Sequence, residues 1–204
     1  GDVLVVYSNN STSNELGYRT KLGSSGCGSG LWSAASNYEA LRTTGTVVWV
    51  KAAWDKRASS NLIAVAWADT NSDLSAVIWS GTGFTNEPGS VTETDLQFYT
   101  TAQDADDFDI GFESLSGDIM LVWGNSLGNG GNGSAFYRVC TGGASSCTWG
   151  AATGMPTFSD GAIVLDLAAS PDSDELVFAS IGVTKNDLQI GYWSGTAWTN
   201  TANA

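Results

Sequence analysis

The chain has 204 residues, of which 42% are hydrophobic, so it is long enough to bury a sizeable core as a globular domain. Its formal net charge is −13, and its eight Lys and Arg residues are scattered along the sequence. Because binding of phosphate groups needs clustered basic side chains, this composition argues against nucleic acid as a partner. No apolar run is long enough to span a membrane, and we therefore expect no membrane insertion.

A short apolar strand recurs four times along the chain at a nearly constant spacing. Each copy opens on a polar residue and continues through a run of mostly apolar residues. The opening residues are Asp2, Asn61, Asp118 and Asp174, so successive copies lie 59, 57 and 56 residues apart. Self-similarity at a fixed period of this size indicates a propeller, a solenoid or an array of repeats.

Each apolar strand is followed by a polar turn and a second strand that carries aromatic residues. The second strands cover residues 16–20, 74–79, 135–139 and 188–193. Gly and Ser residues then form a turn closed by another aromatic residue, most clearly at residues 79–85 and 193–199. Because these residue types supply the permissive backbone of a hairpin turn, the sequence predicts antiparallel hairpins.

A further apolar segment lies between consecutive units. It covers residues 47–54, 108–112 and 163–168. It raises the content of each unit to four strands, which is the content of a propeller blade. We therefore predict an all-β fold, a β-propeller or a segment of one, with about four blades of four antiparallel strands. Its units are residues 1–46, 47–107, 108–160 and 161–204 of one repeat domain.

The first blade is incomplete in this scheme, because the chain starts at the second strand of a blade. A propeller normally closes its ring by pairing strands from both ends, and an open sheet edge is a liability. We therefore expect the chain to be part of a longer propeller. The alternatives are closure by residues 199–204, or several chains that share one ring. Elsewhere, residues 33–42 could form a short helical turn and residues 96–100 an outer strand.

Two cysteines, Cys140 and Cys147, flank a short Gly- and Ser-rich loop between two predicted strands. A disulfide across such a hairpin is geometrically easy. It favours an oxidising compartment and hence a secreted protein. Cys27 lies in the corresponding loop of the first unit and leaves an odd number of cysteines, so its partner could lie outside the chain. The alternative is three reduced thiols.

Catalytic chemistry is limited by the residue types that are missing. The chain contains no His, which removes the commonest general base and the commonest metal ligand. Two carboxylate clusters remain as candidates for glycoside hydrolysis, and the first also for calcium binding. They are Asp104, Asp106, Asp107 and Asp109, and Asp172, Asp174 and Glu175. Both read more simply as polar loops before strands, and the first lacks the calcium-loop spacing. We expect no cofactor and no metal.

Large aromatic residues recur at corresponding places of the units, and two roles fit them. Rings between blades could stack on sugars, but one large aromatic per repeat is also how propeller sheets pack against each other. Two Tyr-Arg pairs recur in alternate units, where Arg could bind a ligand or pair with a nearby acid. The candidate ligand-binding residues are Trp79, Phe84, Trp193, Trp198, Tyr18, Arg19, Tyr137 and Arg138.

Two parts of the sequence resemble known propeller families. Residues 167–179, with a Ser-Pro-Asp turn before an apolar strand, resemble the start of a blade in WD40-like and TolB-like propellers. That resemblance implies a propeller with a protein-interaction or scaffold role. Residues 79–88 and 193–199 resemble the Trp-x-Gly-x-x-Trp turns of fucose-binding propeller lectins.

The lectin resemblance implies an architecture more than a sugar site. Sugar sites of those lectins use an Arg in one strand, a Glu in the next, and a Trp. The matching first strands carry no Arg and the matching second strands carry no Glu. The residues that remain comparable are Trp79, Phe84, Trp193 and Trp198.

These observations predict a non-catalytic, extracellular or cell-surface propeller module for protein interaction or structural assembly. Carbohydrate binding through inter-blade aromatics is the alternative, and a carboxylate glycosidase of sialidase-like type is the third hypothesis. The expected partners are proteins or glycans, together with self-association or contact with flanking blades. Aromatics exposed in grooves between blades would favour a lectin. Buried aromatics beside an open sheet edge would favour a structural role.

Overall fold

The structure, a computed structural model, consists of strands and turns in the residues that it describes, which are 2–9, 15–23, 31–39, 45–85, 92–94, 96, 106–125, 134–156, 161–182 and 187–203. No helix long and apolar enough to cross a membrane is present in these ranges. The strands are β1 (Val3–Ser8), β2 (Glu15–Lys21), β3 (Ser36–Glu39), β4 (Val47–Trp54), β5 (Ile63–Asp69), β6 (Leu74–Trp79), β7 (Phe84–Thr85), β8 (Phe108–Phe112), β9 (Ile119–Asn125), β10 (Ser134–Thr141), β11 (Thr148–Trp149), β12 (Thr153–Gly154), β13 (Ala162–Ala169), β14 (Leu176–Gly182), β15 (Leu188–Trp193) and β16 (Trp198–Asn203).

The strands form four antiparallel sheets, which we number as blades 1 to 4 in chain order. Blade 1 contains β1 to β3, blade 2 contains β4 to β7, blade 3 contains β8 to β12, and blade 4 contains β13 to β16. Strands that follow each other in sequence pair with each other, except that β11 and β12 both pair with β10. This up-and-down order follows from hairpin turns between consecutive strands.

The blades pack face to face, with their first strands side by side. The innermost strand β4 contacts β8, and β8 contacts β13. An apolar core lies at each boundary: Leu16 and Trp67 belong to the core between blades 1 and 2, Ile78 and Phe108 to the next, and Phe178 to the last. The predicted all-β architecture of four blades, the first with one strand fewer, is confirmed.

Burial differs between the inner and the outer blades. In β5 and β6 every residue after the first is buried, including Trp67, because blade 2 is covered on both faces. A strand covered on both faces reads as a continuous apolar run. In β14, by contrast, buried and exposed residues alternate, and Val177 and Ile181 are exposed on the face that points away from blade 3. No sheet of the described residues covers that face.

The predicted disulfide between Cys140 and Cys147 is confirmed, and both residues belong to the core between blades 2 and 3. The suggestion of a helical turn at residues 33–42 is wrong, because β3 occupies the centre of that segment and pairs with β2. Sheet pairing outweighs local propensity there. Of residues 96–100 only Leu96 is described, and it is buried in the same core as the disulfide. Cys27 lies outside the described residues.

Candidate functional site

Three of the predicted ligand-binding residues meet between blades 1 and 2. The Tyr18 ring lies 5.7 Å from the Trp79 ring and 5.0 Å from the Phe84 ring, measured between centroids. Trp79 and Phe84 lie 5.1 Å apart, and all three pairs are tilted or edge-on, the geometry that aromatic pairs favour. Trp79 is only 8% exposed, so most of its ring contributes to packing between the blades.

An equivalent cluster lies between blades 3 and 4. The Tyr137 ring lies 5.7 Å from Trp193 and 6.2 Å from Trp198. Trp193 pairs with Trp198 in the sheet as Trp79 pairs with Phe84. Trp193 and Trp198 are both buried. The structure therefore brings the predicted aromatic residues together in two equivalent clusters, each largely enclosed by packing.

The two predicted arginines do not join these clusters. Neighbouring residues of a strand point to opposite faces, so Arg19 and Arg138 point away from the tyrosines that precede them. Arg19 is exposed, whereas Arg138 is half-buried on the side of blade 2. Burial lowers the pKa of Arg138, and its Nε has no hydrogen-bond partner within the described part of the chain.

A buried carboxylate completes the cluster between blades 3 and 4. Trp193 Nε1 donates a hydrogen bond to Glu113 Oε1 at 2.6 Å, and Glu113 directly follows the innermost strand β8. Burial raises the pKa of Glu113, although the hydrogen bonds from Ser116 and Trp193 oppose the shift. A buried indole N–H normally needs an acceptor. Glu113 supplies that acceptor from the neighbouring blade.

Trp79 occupies the position in its blade that Trp193 occupies in blade 4, but its indole N–H has no such acceptor in the part of the chain that the structure describes. Both residues end the third strand of their blade and pair with the first residue of the second strand. Among the described residues, the indole N–H of Trp79 has no hydrogen-bond acceptor. Trp79 instead lines an opening of about 520 Å³, which we call the inter-blade pocket. Residues 2–4, 20–22, 54–56, 60–63, 79, 81 and 82 form it.

The inter-blade pocket also contains an exposed indole. Trp54, the last residue of β4, is 68% exposed. Its counterpart at the end of β8 is Phe112, which is buried in the core between blades 2 and 3. Sequence reasoning missed Trp54 because it counted this residue only as part of the apolar strand at residues 47–54. The signal that could have found it is its place at the end of the strand, directly before Asp55 and Lys56.

The two acids of the pocket are bonded to other groups of the protein, whereas its two lysines have no described ion pair. Asp2 accepts a backbone N–H from the turn after β2 at 2.8 Å, and Asp55 pairs with Arg57 at 2.6 Å. Burial alone would raise the pKa of Asp55, but the hydrogen bonds from Arg57 outweigh it and hold the pKa below its usual value. Lys21 and Lys56 also line the pocket, and neither has an ion pair among the described residues.

The boundary between blades 2 and 3 is built differently. Cys140, with its disulfide, stands at the position that Trp79 and Trp193 occupy in the adjacent blades. Arg57 crosses this boundary and donates hydrogen bonds to the carbonyl oxygens of Ser116 and Gly143, both at 2.6 Å. A second opening of about 510 Å³ lies beside it but has no aromatic residue in its lining. Arg57 therefore joins two blades and is not available to a ligand.

Two acids of the first carboxylate cluster, Asp106 and Asp109, are bonded within the protein. Asp106 pairs with Lys51 at 2.7 Å, and Asp109 accepts two backbone N–H groups at 2.8 and 2.9 Å. Asp107 is fully buried, and burial raises its pKa to about 8. Asp104 lies outside the described residues, and the part of the chain that is described contains no group of three or more His, Cys, Asp or Glu that could hold a metal ion.

The second carboxylate cluster joins blades 3 and 4. Asp174 Oδ1 accepts the backbone N–H groups of Leu115 and Ser116 at 2.8 and 2.9 Å. Glu175 accepts a hydrogen bond from the Tyr192 hydroxyl on the surface of blade 4. These contacts give both acids a structural role in the turns.

No protein-family model and no curated protein sequence matches the chain. Solved structures do match it. A structure titled as a fungal lectin with a six-bladed β-propeller fold, the Aleuria aurantia lectin, aligns with 100% of this chain and 56% of its own length, at 11% identity and a TM-score of 0.58. The BP39L lectin from Burkholderia pseudomallei aligns with 99% of this chain and 51% of its own, at 13% identity and a TM-score of 0.61.

The chain has a β-propeller fold. It spans about half the length of the two lectins that it resembles. The likeness shows the β-propeller fold and does not point to the WD40-like or TolB-like families specifically.

Proposed function

We propose that this propeller is a carbohydrate-binding protein and that the inter-blade pocket is its site. The observation that carries the proposal is an exposed Trp54 beside the unpaired indole N–H of Trp79, in one concavity between two blades. An exposed indole can stack on the apolar face of a sugar ring, and an indole N–H can donate to a sugar oxygen. Ser60, Asn61 and Thr82 in the lining add hydrogen-bonding groups for hydroxyls.

The fold and the composition support this proposal. A structure with the same fold is titled a fucose-specific lectin, from Aleuria aurantia. The absence of His argues against the commonest hydrolytic arrangements, so we propose binding without catalysis. The disulfide between Cys140 and Cys147 is typical of secreted proteins, so we place the protein outside the cell or on its surface.

A glycan array tests the proposal, and it is best run with calcium and again with a chelator. We expect saturable binding to a defined set of glycans. Trp54→Ala should abolish that binding because it removes the stacking surface. Leu115→Ala is a matched control, since Leu115 is 63% exposed but lies on the turn between β8 and β9. Silence of the folded protein across a broad array would overturn the proposal, as would equal binding by Trp54→Ala.

A second candidate function, contact with a protein partner, is favoured by the uncovered face of blade 4. Ile181 and Leu188 pair across β14 and β15 and are both exposed, with Val164 and Val177 exposed on the same sheet. Exposed apolar patches of this kind mark interaction surfaces. We expect self-association in sedimentation experiments that Ile181→Lys abolishes. A monomer at every concentration would contradict this function.

A further inference from the structure

Three buried polar side chains between blades 3 and 4 have no hydrogen-bond partner among the described residues. They are Asp107, which directly precedes β8, and Ser180 and Gln189, which pair with each other across β14 and β15. None of the three is more than 2% exposed. The atoms without a partner are both carboxylate oxygens of Asp107, the Ser180 hydroxyl, and the oxygen and nitrogen of the Gln189 amide. Because folded proteins rarely leave buried polar groups unpaired, such a group indicates a bound water or ion.

Strand alternation turns Asp107 toward blade 4 and the other two side chains toward blade 3. In blade 3, Phe108 belongs to the core shared with blade 2, so its neighbour Asp107 points to the opposite face. In blade 4, Phe178 belongs to the core shared with blade 3, and Ser180, two residues later, lies on the same face. Gln189 stands directly opposite Ser180 in the sheet and shares that face. The three side chains therefore face the same interface.

The two blades are in direct contact at this level. The backbone N–H of Leu165 donates to the carbonyl oxygen of Asp106, one residue before Asp107, at 2.6 Å. Leu165 lies beside Ser180, since the residue that follows the first and the residue that precedes the second pair with each other. Small residues surround this level and leave room for an ion, namely Gly124, Ala135, Ala162 and Gly182.

The side chains at this level offer mostly oxygen atoms and carry negative charge. Within the described ranges, the one charge that acts on Asp107 is that of Asp106, which has the same sign. Asp187, two residues before Gln189 and half-buried, adds a second carboxylate on the same side of blade 4. Oxygen atoms of carboxylates, amides and hydroxyls are the ligands that calcium prefers. Water would satisfy the hydrogen bonds, but only a cation also compensates the buried charge.

We propose that Asp107, Ser180 and Gln189 bind a calcium ion between blades 3 and 4, with Asp187 at its entrance. The ion joins the two blades and stabilises their interface. Of the acids that the sequence offers for calcium in its first cluster, Asp107 alone belongs to this site, because Asp106 and Asp109 are bonded elsewhere. The inference does not rest on carbohydrate binding, since the inter-blade pocket lies between blades 1 and 2.

Thermal unfolding of chelator-treated protein, with and without calcium chloride, tests the inference. Burial raises the pKa of Asp107 to about 8, so an ion competes with a proton, and the experiment is best run at about pH 8.5. Calcium at about a hundredfold its Kd should raise the folding equilibrium constant about a hundredfold and Tm by about 5–10 °C. Asp107→Asn should abolish this increase and Ser180→Ala should reduce it. Gln189→Glu adds a carboxylate and should enlarge it.

The control variant is Asp172→Asn, which removes an exposed acid from the turn before β14 and should keep the full increase. Sodium chloride at the same ionic strength measures the screening of the net charge of −13. If Asp107→Asn does not fold, Gln189→Glu gives the deciding result. An effect of calcium no larger than that of sodium overturns the proposal and leaves only water at this level. An increase that persists in Asp107→Asn, or is not enlarged in Gln189→Glu, also overturns it.

Discussion

The boundaries between blades 1 and 2 and between blades 3 and 4 start from the same aromatic residues and end as different environments. Each has a tyrosine from one blade packed on an indole and a second aromatic from the next. At the second boundary Glu113 accepts the indole N–H of Trp193 and closes the site. At the first boundary the indole of Trp79 borders a pocket of about 520 Å³.

The difference shows that a repeated aromatic residue does not by itself distinguish packing from binding. The ring faces serve packing at both boundaries. The two boundaries differ in the environment of the indole N–H. A buried N–H needs an acceptor within the protein, whereas an N–H that borders a pocket can donate to a ligand. At the boundary between blades 3 and 4 that acceptor is Glu113, which follows the innermost strand of blade 3.

Among the predicted effects on stability, we expect the largest from variants that remove the indole at each boundary. Trp193→Ala should lower the free energy of unfolding by about 3–5 kcal/mol, since a large buried ring is deleted and Glu113 loses its partner. The loss of unfolding free energy in Trp79→Ala should be smaller than that in Trp193→Ala by about 1 kcal/mol or more. Trp79 already borders a pocket, and its removal breaks no described hydrogen bond. Urea denaturation of both variants measures the difference, with Leu115→Ala as the surface control. Equal losses would mean that the two boundaries are packed alike.

The architecture could be predicted from the sequence because it depends on repeated local signals. The polar residues that open the strands, the Gly- and Ser-rich turns and the cysteines that flank one hairpin act over a few residues each, and they predicted the sheets and the disulfide. The prediction of a helical turn at residues 33–42 was wrong, because the pairing of this segment with β2 is a contact between residues that are distant in the sequence. Local propensity does not report such contacts.

The site was less accessible to sequence reasoning for a physical reason. The repeat identified Trp79 and Trp193 as equivalent, but nothing in the local sequence shows that Glu113, 80 residues before Trp193, is its acceptor. Trp54 reads as the end of a core strand, as Phe112 does, and only the arrangement of blades distinguishes their burial. Exposure and hydrogen-bond satisfaction are properties of the assembled sheets.

Titration of Asp107 extends the comparison to pH. Asp107 lies directly before β8 on the side of blade 3, and burial raises its pKa to about 8 from an ordinary value of 3.8. Since the folded state holds this proton more tightly than the unfolded state, the stabilisation is complete below about pH 4 and is lost as the pH rises toward 8. Stability should fall by at most about 1.4 kcal/mol per pH unit in this window.

Urea denaturation at several pH values measures the slope, and Asp107→Asn should flatten it because the amide does not titrate. Asp55, on the side of blades 1 and 2, has a pKa held below its usual value and should give no such slope in the same range. A slope that is unchanged in Asp107→Asn would assign it to other groups.

The smallest expected effect concerns the charge of Glu113. Burial raises its pKa, and the acids Asp174 and Asp118 nearby raise it further, so the charge itself is disfavoured where it stands. Glu113→Gln keeps an oxygen for the indole N–H of Trp193 and removes that charge, so we expect a change within about 1 kcal/mol at neutral pH. Glu113→Ala leaves the donor unsatisfied and should cost about 1–3 kcal/mol.

Chemical denaturation of the two Glu113 variants at neutral pH separates the need for an acceptor from the need for a charge. A loss in Glu113→Gln as large as that in Glu113→Ala would show that the indole of Trp193 requires an ionised partner. The expected result is that it requires only an acceptor where no cation stands nearby.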